Sequence, residues 1–265
     1  MSSGNQNPQG IAVYCGSSAG KRSAYAKAAH CLSSSYFSNS VHSSPGKIAV
    51  GTAIAKSNRS LIYGGGAAGH GLMGAVAQAA VESGGKVIGV VPYALVAAGG
   101  EQDKAVETNG MKKRVQLPQP ADSSNTQTII VQSMHERKVE MAKRACGFIA
   151  LPGGFGTFEE FFEVTTWTQL GIHDKPVVLV NVLNYYEPIR RMIQSAIEEG
   201  FIQSFNDRLI TIVDGPEDLS QHETYDWGSA ALHAITSWKE GETRSLYDWT
   251  KRMDGTQVGE SLTAT

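Results

Sequence analysis

Two glycine-rich turns in this sequence could approach a phosphate. One is PGGFGT at 152–157, directly after an apolar run, and the other is GGGAAGHGLMG at 64–74, which contains six of the 29 glycines. Backbone N–H groups of such a turn, together with the N-terminus of a following helix, can bind an anion. A tight turn that serves only helix packing explains the segment 64–74 equally well.

The segment 64–74 also matches the pattern G-x-G-x-x-G twice. A dinucleotide site further requires an acid at the end of the next strand, where it binds the ribose hydroxyls. That strand ends in Val-Val-Pro at 90–92, without an acid. An NAD site is therefore disfavoured.

Two carboxylates, Glu159 and Glu160, follow the PGGFGT turn. If N–H groups of the turn bind a phosphate, a carboxylate could stabilise positive charge that develops elsewhere on the ligand. Thr157 and Glu160 also form the pattern of a capping box, in which Glu160 only reaches back to the backbone of Thr157. Local sequence alone favours the capping interpretation.

The same capping pattern occurs upstream, where Ser133 and Glu136 surround the start of MHERK at 134–138. Capping accounts for Glu136 but not for Arg137 and Lys138, which lie near the positive end of the predicted helix. Basic residues at a helix start are often merely solvated. Next to two anion-binding turns, however, they favour a phosphorylated ligand.

Short Val, Ile and Leu-rich strands alternate with helix-length segments and must position these residues. The strands are predicted at 10–15, 61–63, 86–91, 128–132, 148–151 and 176–182, with a last pair of segments that ends near Asp214. This alternation predicts a doubly wound, Rossmann-like α/β fold with helices on both faces of a parallel sheet. Ligands of such folds bind beyond the carboxyl ends of the strands.

We expect one domain over 1–239, with irregular insertions at about 33–45 and 99–127 and a polar C-terminal tail over 240–265. The first insertion has seven serines within 33–44, and the second mixes charged residues and prolines without apolar periodicity. The segment 99–127 could form a lid over the cleft, although a passive surface loop is the default.

Composition excludes several classes of function. The net charge is -2, so no basic field would attract nucleic acid, and no run of about 20 apolar residues could span a membrane. The start of the chain lacks the features of a signal peptide. Three cysteines and isolated histidines without metal-ligand spacing indicate a reduced, cytoplasmic protein without a metal site.

Together, MHERK at 134–138 and PGGFGTFEE at 152–160 resemble the MHxRK and PGGxGTxxE motifs of the lonely-guy family, the cytokinin riboside 5′-monophosphate phosphoribohydrolases. The resemblance continues in VYCGSS at 13–18, YGGG at 63–66 and TWTQLGIHDKPVVLVNV at 166–182. It covers roughly 10–214. The family is also labelled possible lysine decarboxylase, but no lysine here has a recognisable setting for a pyridoxal Schiff base.

The resemblance implies hydrolysis of the N-glycosidic bond of an N6-modified AMP, without metal or cofactor, to free cytokinin base and ribose 5-phosphate. It also implies a homodimer, with Arg137 and Glu160 as the catalytic pair. Positions that match the family's substrate contacts are Lys138, Gly153, Gly154, Phe155, Gly156, Thr157, Phe158, Glu159, Thr165, Gly65, Ser17 and Glu101. Glu101 falls in the irregular segment 99–127. The choice between isopentenyl, zeatin-type and unmodified adenine stays open.

This chemistry agrees with the residues. Cleavage of an N-glycoside passes through an oxocarbenium-like sugar, so Glu160 would stabilise positive charge at the ribose and orient water. Arg137 would position the ligand and balance negative charge, and Thr157 would cap the helix alone. The alternative is a noncatalytic nucleotide-binding or carrier protein of the same fold. The presence of both Arg137 and Glu160 favours the enzyme.

Overall fold

Seven strands form one parallel sheet within the part of the chain that the structure describes. They are β1 (Gly10–Tyr14), β2 (Leu61–Tyr63), β3 (Val87–Pro92), β4 (Thr126–Val131), β5 (Ala145–Ala150), β6 (Val177–Val180) and β7 (Ile210–Val213). Their order across the sheet is β4-β3-β2-β1-β5-β6-β7. The computed structural model describes residues 10–30, 49–65, 70–97, 125–239, 247–251 and 253–256.

Helices cover both faces of this sheet. They are α1 (Ser23–Ala29), α2 (Val50–Lys56), α3 (Gly71–Glu82), α4 (Tyr93–Ala97), α5 (Met134–Arg144), α6 (Phe155–Leu170), α7 (Glu187–Glu198) and α8 (Trp227–Thr236). The predicted doubly wound, Rossmann-like α/β fold is confirmed. Among the described helices, none is long and apolar enough to cross a membrane.

Residues of β1 alternate between the two faces of the sheet. Ile11 and Val13 pack in one core with α1, α2, α3 and α8, whereas Ala12 and Tyr14 pack in a second core with α5 and α6. All five residues of β1 are buried. A strand buried on both faces needs an almost continuous apolar run, which is the pattern that predicted it.

The direction of winding reverses at β1. The chain adds β2, β3 and β4 on one side of β1, and α5 then crosses back so that β5 pairs on the other side. Val13 is in register with both Tyr63 of β2 and Ile149 of β5. The carboxyl ends of these three strands therefore lie level at the switch point, where doubly wound folds bind ligands.

The second insertion was predicted to extend to residue 127, but strand β4 already begins at Thr126. Thr126 and Gln127 belong to β4 and pair with Val87 and Ile88 of β3, because the edge strand continues for the length of its neighbour. Residues 98–124, which include Glu101, and the serine-rich stretch at 33–45 lie outside the described residues.

Helix α2 was not predicted from the sequence, and its composition shows why. Its sequence VGTAIAK contains Gly51 and Thr52, which are poor helix formers. The helix packs tightly on α3, since a Cβ at Gly51 would lie 2.2 Å from the carbonyl oxygen of Val76. Tertiary packing therefore stabilises a segment that intrinsic propensity does not favour.

Part of the predicted polar tail contacts the domain. Trp249 is half-buried beside the core between the sheet and α6, and its indole Nε1 donates a hydrogen bond of 2.9 Å to the carbonyl oxygen of Leu170.

Candidate functional site

The loops that follow β1, β2 and β5 meet beyond the carboxyl ends of these strands. Gly16 donates its N–H to the carbonyl oxygen of Pro152 at 3.0 Å. Its own carbonyl oxygen accepts from the N–H groups of Leu72 and Met73, at 3.1 and 3.3 Å. Backbone hydrogen bonds thus join three segments that are distant in sequence.

Glycine allows this close approach on the β2 side. A Cβ at Gly71, whose φ is +62°, would lie 2.0 Å from the carbonyl oxygen of Ser17. At Gly65, which is buried with a φ of +80°, it would lie 2.2 Å from Cγ2 of Val91. Both glycines therefore allow this close packing, and Ser17 beside them is exposed.

The capping interpretation of Thr157 and Glu160 is wrong. Helix α6 begins at Phe155, with Gly154 as an extended N-cap, and no acidic residue lies in its first turn. Thr157 is therefore the third residue of the helix and is buried, and Glu160 is the sixth. Because glycine can take the N-cap conformation without a side chain, the N-cap lies at Gly154, three residues before Thr157.

Among the residues that the structure describes, no side chain caps the start of α6, so its first N–H groups can bind an anion. Two tyrosines hold the preceding turn. The hydroxyl of Tyr185 donates to the carbonyl oxygen of Gly153 at 2.5 Å, and that of Tyr186 donates to the carbonyl oxygen of Leu151 at 2.6 Å. Phe155 beside this turn is 91% exposed. Gly154 and Gly156 are also exposed, so the turn is open to a ligand.

Helix α5 begins with the predicted cap. The Ser133 hydroxyl accepts the N–H of Glu136 at 3.0 Å. The Glu136 carboxylate accepts the N–H of Gln132 at 2.7 Å, one residue before the position that a capping box uses. This cap fixes the helix start from which Arg137 and Lys138 extend.

The structure brings the predicted catalytic pair together. Arg137 of α5 and Glu160 of α6 are both buried, and Nη2 of Arg137 lies 3.8 Å from Oε1 of Glu160. At that distance two unit charges attract by about 4 kcal/mol in an effective dielectric of about 20. The pair lies over the switch point, where α5 and α6 begin.

Gly64 makes room for this arginine. A Cβ at Gly64 would lie 1.6 Å from Nη2 of Arg137 and 2.7 Å from its Cζ. The guanidinium therefore occupies space that the first glycine of the 64–74 segment leaves empty. Sequence reasoning assigned this segment to a phosphate or a turn, and it missed the contact with Arg137.

Lys138 lies between two carboxylates of α6. Its Nζ donates to Glu159 at 2.5 Å and to Glu163 at 2.9 Å. Burial lowers the pKa of Lys138, but these two hydrogen bonds outweigh it and raise the pKa above its usual value. Glu163 was not predicted. The spacing of four residues between Glu159 and Glu163, which places them on one helix face, was the available signal.

Three buried polar atoms around this cluster have no hydrogen-bond partner among the described residues. They are the Tyr14 hydroxyl oxygen, Nε of Arg137 and Oε2 of Glu163. Burial raises the pKa of Tyr14, and the nearby charges of Glu160 and Glu163 raise it further. Unpaired polar atoms are unfavourable in a protein interior, and they mark this cleft as a place for a polar ligand or water.

The remaining predicted residues pack nearby. The Thr165 hydroxyl donates to the carbonyl oxygen of Phe161 at 2.7 Å, and Phe158 is half-buried against Tyr185. Cys15 is buried in the core, and burial raises its pKa. Within the described ranges, no three His, Cys, Asp or Glu side chains form a group able to hold a metal ion.

Fold and site together define a doubly wound α/β protein with a charged, largely buried cleft at its topological switch point.

Known sequences identify the family. A family model described as possible lysine decarboxylase matches residues 73–222. A cytokinin riboside 5′-monophosphate phosphoribohydrolase of Arabidopsis thaliana is 41% identical over 209 residues, which cover 79% of this chain and 79% of that protein. A probable enzyme of the same name from Oryza sativa subsp. japonica is 40% identical over 209 residues, or 79% of this chain and 69% of that protein.

The chain belongs to this family, the lonely-guy phosphoribohydrolases. Among solved structures, the molybdenum cofactor carrier protein of Chlamydomonas reinhardtii is similar at 16% identity and a TM-score of 0.46, over 87% of this chain and 98% of that chain. A likeness at that level carries no argument about function.

Proposed function

We propose that this protein hydrolyses the N-glycosidic bond of cytokinin riboside 5′-monophosphates to free cytokinin base and ribose 5-phosphate. The observation that carries the proposal is the buried Arg137 and Glu160 pair, 3.8 Å apart beyond the carboxyl ends of the central strands. Relatives that are about 40% identical over most of the chain bear the name of this activity.

The positions of the charged groups suit this reaction. The backbone N–H groups of 153–159, which precede and open α6, would bind the 5′-phosphate. Glu160 lies one turn further along the helix, so it would meet the ribose rather than the phosphate. There it would stabilise the oxocarbenium-like transition state and orient the attacking water.

Arg137 has two tasks in this proposal. Its guanidinium would balance negative charge on the phosphate or on the departing base, and its attraction to Glu160 would hold that carboxylate in place. Its Nε has no partner among the described residues, so it is available to the ligand.

The other substrate contacts are proposed in two groups. Gly65 and Ser17 would shape the mouth of the cleft, and Lys138 and Thr165 would line the side formed by α5 and α6. Glu101 lies outside the described residues, and its contact with the substrate stays a prediction.

We also propose a cytoplasmic homodimer built from a single domain over 1–239 with a tail over 240–265. Large exposed apolar side chains support a partner, since Phe155, Phe201 and Phe205 all face solvent. Cys15 and Cys146 are free thiols, in agreement with a reducing compartment. Light scattering at working concentration is expected to give twice the mass of the chain, and a monomer would contradict the proposed dimer.

A direct assay tests the reaction. Purified protein is incubated with isopentenyladenosine monophosphate and, separately, with AMP, and the products are separated by chromatography. We expect isopentenyladenosine monophosphate to give free base and ribose 5-phosphate in equal amounts, and the AMP reaction decides whether unmodified adenine is also released. Nucleotide binding without base release would instead support the noncatalytic carrier alternative.

The variant Glu160→Gln tests the role of the carboxylate, because it keeps the size of the side chain and removes its charge. We expect turnover to fall by about a thousandfold, the size of effect seen when a group that stabilises the transition state is removed. Circular dichroism and a cooperative thermal transition check that the variant still folds. A folded variant with wild-type turnover would remove Glu160 from the mechanism.

A further inference from the structure

Lys138 has two carboxylate partners that differ in exposure. The Glu159 side chain is 52% exposed, whereas that of Glu163 is 23% exposed and that of Lys138 is 12% exposed. An ion pair with an exposed partner contributes little and is replaced readily, while a partly buried pair is screened less. Glu163 is therefore the more permanent partner of the ammonium group.

The positions of the two carboxylates along α6 also indicate that Glu163 is the more permanent partner of Lys138. Glu163 lies one turn further into α6 than Glu159, away from the open turn that precedes the helix. An anionic ligand that arrives at the start of α6 meets Glu159 first. The phosphate can take the place of Glu159 beside Lys138 without disturbing the contact between Lys138 and Glu163.

Glu163 also reaches into the protein interior with one of its oxygens. Its Oε2 is buried and has no hydrogen-bond partner among the described residues, although Oε1 accepts from Lys138. Burial raises the pKa of Tyr14, and the charges of Glu160 and Glu163 raise it further. The charges of both carboxylates thus act on the same buried hydroxyl.

From this arrangement we infer that Glu163, which lies outside both sequence motifs, is a positioning residue that fixes Lys138 in the cleft for the substrate phosphate. The inference rests on the proposed function. Glu163 touches no reacting atom in this role. It acts through Lys138, whose three N–H donors it orients while Glu159 yields its position to the ligand.

The test compares Glu163→Gln with wild type in steady-state kinetics. The variant is expected to raise KM for isopentenyladenosine monophosphate about tenfold, the size of one hydrogen bond to a charged group. The value of kcat should stay within about threefold, because the catalytic pair is untouched. The dissociation constant of AMP, measured by calorimetry, should rise by the same factor as KM.

Glu140→Gln is the matched control. Glu140 lies on α5, its side chain is also 23% exposed, and it pairs with Arg144 away from the cleft. This variant should leave KM unchanged. If both variants raised KM alike, loss of a helix ion pair would explain the effect, and the inference would be wrong.

A double variant shows whether Glu163 acts through Lys138 or contributes to binding separately. If Glu163 acts through Lys138, then Lys138→Met with Glu163→Gln should bind AMP no more weakly than Lys138→Met alone. A further tenfold loss in the double variant, or an unchanged KM in Glu163→Gln, would overturn the inference. A wild-type protein that binds AMP without cleaving the cytokinin nucleotide would refute the proposed function instead, and the calorimetric comparison would still decide the role of Glu163.

Discussion

Adding a single methyl group at Gly64 should impair catalysis without unfolding the protein. A Cβ at this position would lie 1.6 Å from Nη2 of Arg137, whereas Cβ atoms in proteins essentially never approach closer than 3.0 Å. The difference requires the guanidinium to move by about 1.4 Å. Misplacement of a catalytic group by about 1 Å can cost about a hundredfold in rate, or about 2.7 kcal/mol of transition-state stabilisation.

The stability of Gly64→Ala should stay close to wild type. Gly64 is not among the residues with positive φ, so alanine fits the backbone. The atom nearest to the new methyl group is the end of a long side chain, which can move without displacing the sheet. We therefore expect kcat/KM for base release to fall about a hundredfold, while the thermal transition measured by circular dichroism shifts little.

Gly147→Ala provides the control for this experiment. A Cβ there would lie 2.8 Å from Cδ1 of Ile235 and 2.9 Å from Cγ of Pro176, in the core and at the other end of the sheet. This variant should lower the melting temperature and leave kcat/KM of the folded protein unchanged. A Gly64→Ala enzyme with wild-type kcat/KM would refute the reasoning that the guanidinium must occupy this space.

Three further predictions concern stability. Ser133→Ala removes the side-chain cap of α5 and should lower the free energy of unfolding by about 1 kcal/mol in urea titration. Burial lowers the pKa of His173 to about 3, so its unfolded form takes up a proton below about pH 6.5 and the folded form does not. Wild type should therefore lose about 2 kcal/mol more stability between pH 7.5 and pH 5 than His173→Gln does, measured by the same titration. Trp249→Ala removes a half-buried indole and its hydrogen bond to Leu170, and calorimetry should show a lower melting temperature.

Each of these predictions has a result that would contradict it. If Ser133→Ala had the same free energy of unfolding as wild type, the Glu136 carboxylate alone would be sufficient as a cap. Parallel pH profiles for wild type and His173→Gln would mean that the imidazole takes up a proton in the folded protein. If Trp249→Ala had the same melting temperature as wild type, the contact of Trp249 with Leu170 would not stabilise the domain.

The pattern of short continuous apolar runs was enough to predict the sheet, because strands buried on both faces need such runs. It located β2 at 61–63 as the structure has it. It did not predict α2, which depends on the close contact of Gly51 with α3. Contacts between helices have no local signature, so segments that depend on them stay hidden.

The same limit applied to the site. Local sequence favoured capping for Glu160, because a threonine three residues before a glutamate looks alike whether it caps a helix or lies inside one. The family motifs indicated Arg137 and Glu160 despite this. They could not indicate Glu163 or the space that Gly64 leaves for Arg137, since both depend on how α5 and α6 lie over the sheet.

Because the chain returns through α5 only after β4, the parts of the site are synthesised in a fixed order. Strands β1 to β4, with Ser17 and Gly64, are synthesised first, and both members of the charged pair follow in the second half of the chain. A ribosome that stops anywhere before Glu160 releases a product that lacks the carboxylate. The growing chain therefore cannot hydrolyse the nucleotide until both Arg137 and Glu160 have been synthesised.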